Sequence, residues 1–317
     1  MYVPTFDDVR RAHARIYPWI HRTPVLASDT LDRMSGARLF FKCENLQKAG
    51  AFKVRGASNA VFSLDDEQAE RGVATHSSGN HALSLSYAAA CRGTPCTVIM
   101  PRTASRAKMR AVTGYGGEIV TCEPSLAARE AALNNLVERT GASFVHPYND
   151  HRVIAGQATC VRELLDDSGQ LDAVVAPIGG GGMISGTALS LATIAPDTRI
   201  YAAEPANADD AHRSLKAGHI IEDDAPDTVA DGLRVSLREL TWHFVRRHVS
   251  DILLTTEEEI IDAMRLVWER MKIVIEPSSA VAVAVVLKHP DIFRDRRVGI
   301  ILTGGNVDMY RLPWVDR

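Results

Sequence analysis

The sequence predicts an α/β protein with two open, twisted, mainly parallel sheets that are flanked by helices. Short runs rich in β-branched residues alternate with stretches of helical length along the 317 residues, and this strand–helix repetition favours parallel sheets. The runs are 37–45, 72–78, 95–100, 117–122, 143–147, 172–178, 198–204, 251–255 and 297–303. Apolar residues make up 46% of the chain and charged residues 24%, which is typical of a globular protein with a substantial core.

The order of these runs suggests two domains. Residues 72–149 hold four predicted strands and are interpreted as a small inserted domain, whereas 1–71 and 150–317 would form a larger sheet domain. The helices expected within the small domain are 79–91, 104–114 and 125–140. A ligand would bind in the cleft between the domains. Because parallel sheets bind ligands at the carboxyl ends of their strands, the loops after the apolar runs are where chemistry is expected.

Charge and composition exclude several classes of partner. The chain has 36 Lys and Arg against 39 Asp and Glu, so it lacks the excess of basic residues typical of proteins that bind nucleic acid or acidic membranes. No apolar run approaches the roughly 18 residues needed to cross a bilayer, and the first residues lack the apolar block of a secretion signal. The five cysteines show no metal-ligand spacing. We expect a cytoplasmic protein with buried free thiols that acts on a small molecule.

The strongest local motif is a run of four glycines, 179–182, which follows an apolar strand and precedes a stretch of helical character. Backbone N–H groups of such a loop can turn inward, and the positive end of the following helix dipole adds to the attraction for an anion. The spacings GxGxxG and GxxxxGK[ST] are absent from it, so a monophosphate cofactor fits better than NAD or ATP. A flexible turn with close backbone packing is the alternative.

Two further loops follow predicted strands. Residues 77–81 (Ser-Ser-Gly-Asn-His) offer hydroxyls, an amide and N–H groups to a carboxylate, although helix capping would explain part of this pattern equally well. Residues 303–306 (Thr-Gly-Gly-Asn) follow the last strand, and taken alone they are as well explained by a turn.

Lys53 lies between Phe52 and Val54, where a helix is expected to begin after the Gly50 turn. Apolar neighbours could desolvate the amine and lower its pKa toward nucleophilic use. Most lysines are solvated surface charges, so Lys53 alone would not indicate a site. A nucleophilic lysine and a phosphate-binding loop are, however, two requirements of one cofactor, pyridoxal phosphate.

Five motifs together resemble a known family. They are A-F-K-V-R-G around Lys53, S-S-G-N-H at 77–81, G-G-G-G-M at 179–183, E-P-A-N-A-D-D at 204–210 and T-G-G-N at 303–306. Their order and spacing, over nearly the whole chain, resemble the serine/threonine dehydratase and serine racemase family of pyridoxal-phosphate enzymes, which have the tryptophan-synthase β-subunit-like fold (fold type II). Ala51 stands where many dehydratases have Ser, as it does in relatives that act on 3-hydroxyaspartate.

The resemblance implies roles for the cofactor residues. Lys53 would form the Schiff base with the cofactor and then remove the substrate Cα proton. The phosphate would be held by the backbone N–H groups of Gly179, Gly180, Gly181, Gly182 and Met183. Asn80 would hydrogen-bond the cofactor 3′-oxygen, Phe52 would pack beside the ring and Thr303 would meet the pyridine nitrogen. Because a hydroxyl cannot keep that nitrogen protonated as an aspartate would, prompt loss of the β-substituent is favoured over transamination.

The resemblance also implies substrate and metal contacts. The substrate α-carboxylate would be bound by Ser77, Ser78, Gly79, Asn80 and His81. Ser78 matches the residue that faces Cα from the side opposite the lysine in racemases, so it is the candidate second acid. Arg129 is a candidate cation for a second substrate carboxylate, or equally a surface residue of an amphipathic helix.

The acidic motif matches the family's divalent-cation site. Its ligands would be Glu204, Asp210 and the carbonyl of Ala208, which suits Mg²⁺ and also Ca²⁺ or Mn²⁺. A solvated acidic helix start is the alternative interpretation. The resemblance to this family further implies a homodimer.

We therefore expect an ammonia-lyase that removes water from a 3-hydroxy-amino acid, 3-hydroxyaspartate ahead of threonine or serine, to give a 2-keto acid and ammonia. One alternative is a serine or aspartate racemase with dehydratase side activity. A β-replacement enzyme of the cysteine-synthase kind is a second, although such enzymes usually show Lys-Asp-Arg where this chain has Lys53-Val54-Arg55. A non-catalytic sensor of a phosphorylated metabolite is the third.

Overall fold

The computed structural model describes residues 1–104, 106–223 and 225–314, and positions 105, 224 and 315–317 of the predicted domains lie outside this part of the chain. The strands are β1 (Val25–Leu26), β2 (Arg38–Cys43), β3 (Val73–His76), β4 (Cys96–Pro101), β5 (Glu118–Cys122), β6 (Ser143–Phe144), β7 (Ala173–Pro177), β8 (Arg199–Pro205), β9 (Val249–Thr255) and β10 (Arg297–Leu302). The α-helices are α1 (Phe6–Ile16), α2 (Asp29–Ser35), α3 (Lys53–Phe62), α4 (Asp66–Arg71), α5 (Asn80–Arg92), α6 (Arg106–Gly114), α7 (Leu126–Thr140), α8 (His151–Ser168), α9 (Gly182–Ile194), α10 (Asp210–Ala217), α11 (Glu239–His248), α12 (Glu257–Met271), α13 (Pro277–Lys288) and α14 (Pro290–Phe293).

The larger sheet has six strands in the order β1-β2-β10-β7-β8-β9. The two-residue edge strand β1 runs antiparallel to β2, and the other pairs are parallel. Every residue of β7 is buried. Two adjacent residues of this strand, Val174 and Val175, belong to apolar clusters on opposite faces of the sheet. Helices on both faces therefore cover this strand, which is why its sequence is apolar throughout instead of alternating.

The smaller sheet has four parallel strands in the order β5-β4-β3-β6. All four lie within the segment 72–149. Helix α3 packs against α5, which follows β3, and against α8, which precedes β7, so it lies beside both sheets. The predicted class, two mainly parallel sheets with flanking helices, is confirmed, while the domain limits stay a prediction. In the described part of the chain no helix is long and apolar enough to cross a membrane.

A cluster of four charged side chains is buried where α3 meets β2 and α8. Arg55 is 0% exposed and its guanidinium forks between two carboxylates, with Nε 2.7 Å from Glu44 Oε2 and Nη1 2.9 Å from Glu163 Oε1. The Lys42 ammonium adds a second buried cation, 2.8 Å from Glu163 Oε2. Charges in such a site tolerate little displacement. The cluster therefore fixes the position of α3, whose first residue is Lys53.

Candidate active site

Lys53 begins α3 and directs its amine to the loop after β6. Nζ donates a hydrogen bond to the Pro147 carbonyl at 2.8 Å and lies 5.1 Å from the centre of the Phe52 ring. Burial lowers the pKa of Lys53 to about 8, although the nearby negative charge of Glu276 opposes this shift. A substantial fraction of such an amine is neutral near pH 8, which is the form that can act as a nucleophile or a base.

The glycine loop joins β7 to the first turn of α9. Gly181 has φ +83°, a left-handed conformation that favours glycine. The residues from Gly179 to Met183 are all buried, yet among the described residues none of their backbone N–H groups has a hydrogen-bond acceptor. Buried N–H groups without acceptors are rare in folded proteins. Together with the positive end of α9, they fit a phosphate group that supplies the missing acceptors.

Close packing explains why the loop consists of glycines. A Cβ atom at Gly180 would lie 2.5 Å from the ring of Tyr148, and one at Gly182 would lie 2.9 Å from the Tyr148 Cβ. On the other side, a Cβ at Gly179 would lie 2.8 Å from the backbone of Leu233. Any side chain here would displace Tyr148 or the 231–233 turn. Tyr148 follows directly on Pro147, so one loop packs on the glycines and accepts the Lys53 hydrogen bond.

The serine loop connects β3 to α5. The Ser77 hydroxyl accepts from the Gly79 N–H at 3.3 Å, so local capping accounts for one of its hydroxyls. No partner for the Ser78 hydroxyl is found within the described ranges, which leaves it free for a ligand. His81 is 2% exposed and its Nε2 lies 3.1 Å from the Val145 carbonyl, so its side chain faces the interior. His81 can therefore contact a ligand bound at this loop only through its backbone.

Asn80 is held by residues from the opposite end of the chain. Its Nδ2 donates to Glu276 Oε1 at 2.8 Å, and its Oδ1 accepts from Asn306 Nδ2 at 2.9 Å. These bonds fix the orientation of the amide and leave one N–H of Nδ2 for a ligand. Burial raises the pKa of Glu276 to about 7, with the Asn80 hydrogen bond opposing the rise. Sequence reasoning missed Glu276, whose only local signal is a carboxylate directly before Pro277 at the start of α13.

Thr303 is the first residue after β10 and is buried. Its carbonyl accepts from the Phe52 N–H at 3.0 Å, and the next residue, Gly304, forms a bridge with Ala51. No hydrogen-bond partner of the Thr303 hydroxyl is found among the residues that the structure describes. Thr303 therefore lies beside the residues that precede Lys53, with a hydroxyl available to a bound group.

Four of the five motifs meet at this place. The segments around Lys53, Asn80 and Thr303 are joined by the hydrogen bonds given above, and the glycine loop is joined to them through Tyr148. Arg129 lies farther out, on α7, where its Nε contacts the Ser125 carbonyl at 3.4 Å.

The acidic motif forms a separate site between β8 and α10. Glu204 is buried and accepts the N–H groups of Ala211 and His212 at 2.9 and 2.8 Å. Asp210 is also buried, and its Oδ2 has no hydrogen-bond partner in the described ranges. Burial raises the pKa of Asp210 to about 6. A cation would satisfy the unpartnered oxygen, so the donor chemistry fits a divalent ion. Among the described residues no group of three or more His, Cys, Asp or Glu side chains is arranged to hold a metal ion, so carbonyls and water would have to complete the shell.

The chain is similar to known proteins over almost its whole length. The family model described as "Pyridoxal-phosphate dependent enzyme" matches residues 16–304. A protein named beta-hydroxyaspartate dehydratase, from Paracoccus denitrificans (strain Pd 1222), is 62% identical over 314 residues, which is 99% of this chain and 100% of that protein. A serine racemase from Arabidopsis thaliana is 49% identical over 313 residues, covering 97% and 95% of the two chains.

Solved structures give the same result. The structure of maize serine racemase superimposes with a TM-score of 0.95 at 45% identity, covering 98% of this chain and 95% of that one. An amine on α3, a loop of unsatisfied N–H groups and a family model that spans most of the sequence all indicate one cofactor chemistry. The chain belongs to the family of pyridoxal-phosphate dependent enzymes, as its motifs predict.

Proposed function

We propose that this enzyme is an ammonia-lyase that removes water from 3-hydroxyaspartate and releases a 2-keto acid and ammonia. The observation that carries the proposal is the pairing of a desolvated amine at Lys53 with the buried, unsatisfied N–H groups of the glycine loop. The choice of dehydration and of this substrate follows from the relative in P. denitrificans, whose name states both and whose full length is matched.

The residues have distinct proposed roles toward the cofactor. Lys53 would hold it covalently, and the N–H groups from Gly179 to Met183 would bind its phosphate. Asn80 would donate its remaining N–H to the 3′-oxygen, Phe52 would pack beside the ring and the Thr303 hydroxyl would contact the ring nitrogen. When bound, pyridoxal phosphate supplies an electron sink that makes the Cα proton of an amino acid acidic.

In the proposed elimination Lys53 carries the proton from Cα to the departing hydroxyl group. The α-carboxylate would be bound by the N–H and hydroxyl groups of residues 77–81, which orients the Cα–H bond toward Lys53. Once the substrate amine had displaced it from the cofactor, the freed Lys53 Nζ would take the Cα proton as the C–O bond to the β-hydroxyl breaks. The ammonium formed at Nζ can return that proton to the departing oxygen, so water leaves. The neutral Lys53 amine would then rejoin the cofactor and so release the enamine, whose hydrolysis consumes one water and gives the 2-keto acid and ammonia.

A racemase is the second candidate, because the Ser78 hydroxyl has no partner in the described residues and is free to act as an acid. Racemisation would need Ser78 to protonate Cα from the face opposite Lys53 before the β-hydroxyl leaves.

The two candidates are separated by incubating the holoenzyme with L-serine, L-threonine and the 3-hydroxyaspartate diastereomers. Dehydration predicts that keto acid exceeds inverted amino acid, with the highest kcat/KM for one 3-hydroxyaspartate diastereomer. Replacing Ser78 with Ala should lower inversion far more than dehydration, because dehydration loses only one contact to the α-carboxylate and keeps Lys53 as its proton carrier. A predominance of inverted amino acid with wild-type enzyme would contradict the proposal.

We further propose that Glu204, Asp210 and the carbonyl of Ala208 bind a divalent cation, with Mg²⁺ preferred over Ca²⁺ and Mn²⁺. An ion at about 100 times its Kd should add about 2.7 kcal/mol to the free energy of unfolding. Thermal denaturation with and without chelator should show this difference in wild type. The Asp210→Asn variant should lose most of it, whereas Asp209→Asn, whose carboxylate pairs with Arg213, should keep it. An equal response of both variants would refute the assignment.

We also propose a domain arrangement, a cellular compartment and an oligomeric state. Residues 72–149 would act as the small substrate-binding domain, and the enzyme would work in the cytoplasm as a homodimer. Sedimentation velocity of the holoenzyme tests the oligomeric state, and a monomer at working concentration would exclude the dimer.

A further inference from the structure

Helix α8 packs against the two helices that carry the reactive groups of the site. Helix α3 begins with Lys53, and helix α9 begins with Gly182, within the glycine loop. Both helices contact α8, so the position of α3 relative to α9 depends on α8. Because one cofactor molecule would contact both helix starts, the distance between them has to match the distance between its aldehyde and its phosphate.

The three helices approach each other at the level of their backbones. A Cβ atom at Gly156 of α8 would lie 2.5 Å from the Arg55 carbonyl oxygen, and one at Gly56 of α3 would lie 2.7 Å from a carbonyl oxygen of α8. On the other side, a Cβ at Gly186 of α9 would lie 2.6 Å from a backbone nitrogen of α8. Because backbone atoms meet backbone atoms on both sides of α8, the spacing of the three helices can change very little.

These contacts lie one helical turn from each reactive group. Gly56 follows Lys53 by three positions, and Gly186 follows Gly182 by four. One turn of an α-helix takes about 3.6 residues and rises about 5.4 Å. A small shift or rotation of α3 against α8 would therefore move the Lys53 amine relative to the glycine loop.

Gln157 of α8 contacts both neighbouring helices at this point. Its side chain is 1% exposed, and its Oε1 accepts the Gly56 N–H at 3.2 Å. A Cβ atom at Gly186 would lie 3.0 Å from the Gln157 Cβ, so the same residue packs on α9. Because the Gly56 N–H is a donor, the oxygen of the amide faces α3, and the Nε2 group has no hydrogen-bond partner in the described residues.

Stability does not account for a glutamine at this position. Leaving a buried amide N–H without an acceptor costs more free energy than one neutral hydrogen bond contributes. An apolar side chain of similar length would avoid that cost and would lose only the bond to Gly56. What Gln157 supplies instead is a directed acceptor, which restricts rotation of the first turn of α3 about its own axis.

The buried charged cluster holds α3 at a different point. Glu163 lies six positions after Gln157, on a later turn of α8, and none of the four members of the cluster lies on α9. The cluster therefore holds α3 against β2 and α8, whereas Gln157 contacts α3 and α9 at once.

We propose that Gln157 is a positioning residue, which holds the first turn of α3 at the spacing from α9 that lets one cofactor molecule reach both Lys53 and the glycine loop. This inference rests on the proposed function, in which Lys53 holds the cofactor covalently. A misplacement of reacting groups by about 1 Å can lower a rate by about 100-fold, so one hydrogen bond here matters more for bond formation at Lys53 than for stability.

The test compares the binding of pyridoxal phosphate and pyridoxamine phosphate to the full-chain apoenzyme by fluorescence titration. Pyridoxamine phosphate has an amine in place of the aldehyde, so it uses the phosphate site but forms no bond to Lys53. Gln157→Met should raise the Kd for pyridoxal phosphate by about 10-fold and the Kd for pyridoxamine phosphate by less than about 2-fold. The thermal transition of this variant should stay within about 4 °C of wild type, because the unpartnered amide is removed together with the bond.

Three further variants separate positioning from stability. Gln157→Glu keeps an oxygen that can accept the Gly56 N–H but buries an acidic group, so it should lower the thermal transition and keep the wild-type ratio of the two Kd values. Gly156→Ala, whose Cβ would press on the Arg55 carbonyl, should raise the Kd for pyridoxal phosphate selectively. The matched control is Gly114→Ala on α6, where a Cβ would have no neighbour within 4 Å, and it should change neither Kd.

Lys53→Ala provides the reference, because it should abolish the preference for pyridoxal phosphate completely. An unchanged Kd for pyridoxal phosphate in Lys53→Ala would refute the covalent role of Lys53, and with it the proposed function. If Lys53→Ala does lose the preference, unchanged Kd values in Gln157→Met, or a rise of both by the same factor, would overturn this inference alone. Should Gln157→Met fail to fold, the same comparison in Gly156→Ala and a changed ratio in Gln157→Glu decide the question.

Discussion

Replacing Lys53 with alanine is expected to lower kcat by at least about 10³-fold, because the same amine would hold the cofactor and move the Cα proton. The variant should also lose the covalent attachment of the cofactor, since the Lys53 amine is the group proposed to hold it. Two measurements check this result. Borohydride reduction followed by mass spectrometry reports the attachment, and a keto-acid assay reports turnover.

Lys48 provides the control, because it lies in the preceding 3₁₀ turn, Lys48–Gly50. The Lys48→Ala variant should keep its reducible cofactor and most of its activity. Turnover by Lys53→Ala at the wild-type rate would contradict the proposed mechanism, whatever mass spectrometry shows about attachment of the cofactor in that variant.

Replacing Arg55 with methionine is expected to destabilise the fold by about 3–5 kcal/mol, since it leaves the buried Glu44 and Glu163 carboxylates with one buried ammonium, which contacts Glu163. Arg55 makes hydrogen bonds to Glu44 and Glu163 at 2.7–2.9 Å, and all three side chains are at most 1% exposed. Urea unfolding followed by circular dichroism measures the change. The matched control is Arg265→Met, which breaks an exposed pair with Glu269 and should cost less than about 1 kcal/mol.

The buried cluster of Arg55, Glu44, Glu163 and Lys42 also makes the free energy of unfolding depend on pH. Burial alone would raise the pKa of Glu163, but the hydrogen bonds and charge of Arg55 hold it at about 2, below its usual 4.5. A carboxyl whose pKa is depressed in the folded state stabilises the protein fully above its unfolded pKa. Its contribution should therefore be complete above about pH 4.5 and be lost as the pH falls toward 2. Similar losses in wild type and in Glu163→Gln over this range would contradict that origin.

The sequence was sufficient to predict the sheets because their signal is local. Nine apolar runs correspond to β2 to β10, and the glycine loop follows β7 as expected. The strand β1 was missed because two residues carry no periodicity. The run 143–147 predicts a strand of five residues, but β6 ends at Phe144. Residues 146–149 instead turn around the His146 ring, whose Nδ1 accepts two backbone N–H groups.

The remainder of the site depends on contacts between distant parts of the chain. Asn80 and Glu276 are 196 positions apart, and no spacing rule connects them. Glu163, which accepts a hydrogen bond from Arg55, likewise lies 108 positions away from it in the sequence. One signal was present in the sequence, because Lys42 stands inside the apolar run L-F-F-K-C, where an unpaired charge could not be buried.

The two-residue spacing of Lys53 and Arg55 on α3 has a dynamic consequence. Successive helix positions are rotated by about 100°, so the Lys53 side chain reaches the Pro147 carbonyl while that of Arg55 is fixed among acids in the interior. Fraying of this first turn would require the guanidinium to leave its carboxylates, and local opening would then cost nearly as much as unfolding the whole core. We therefore expect the Arg55 N–H, which donates to the Phe52 carbonyl at 3.0 Å, to exchange its hydrogen mainly through global opening.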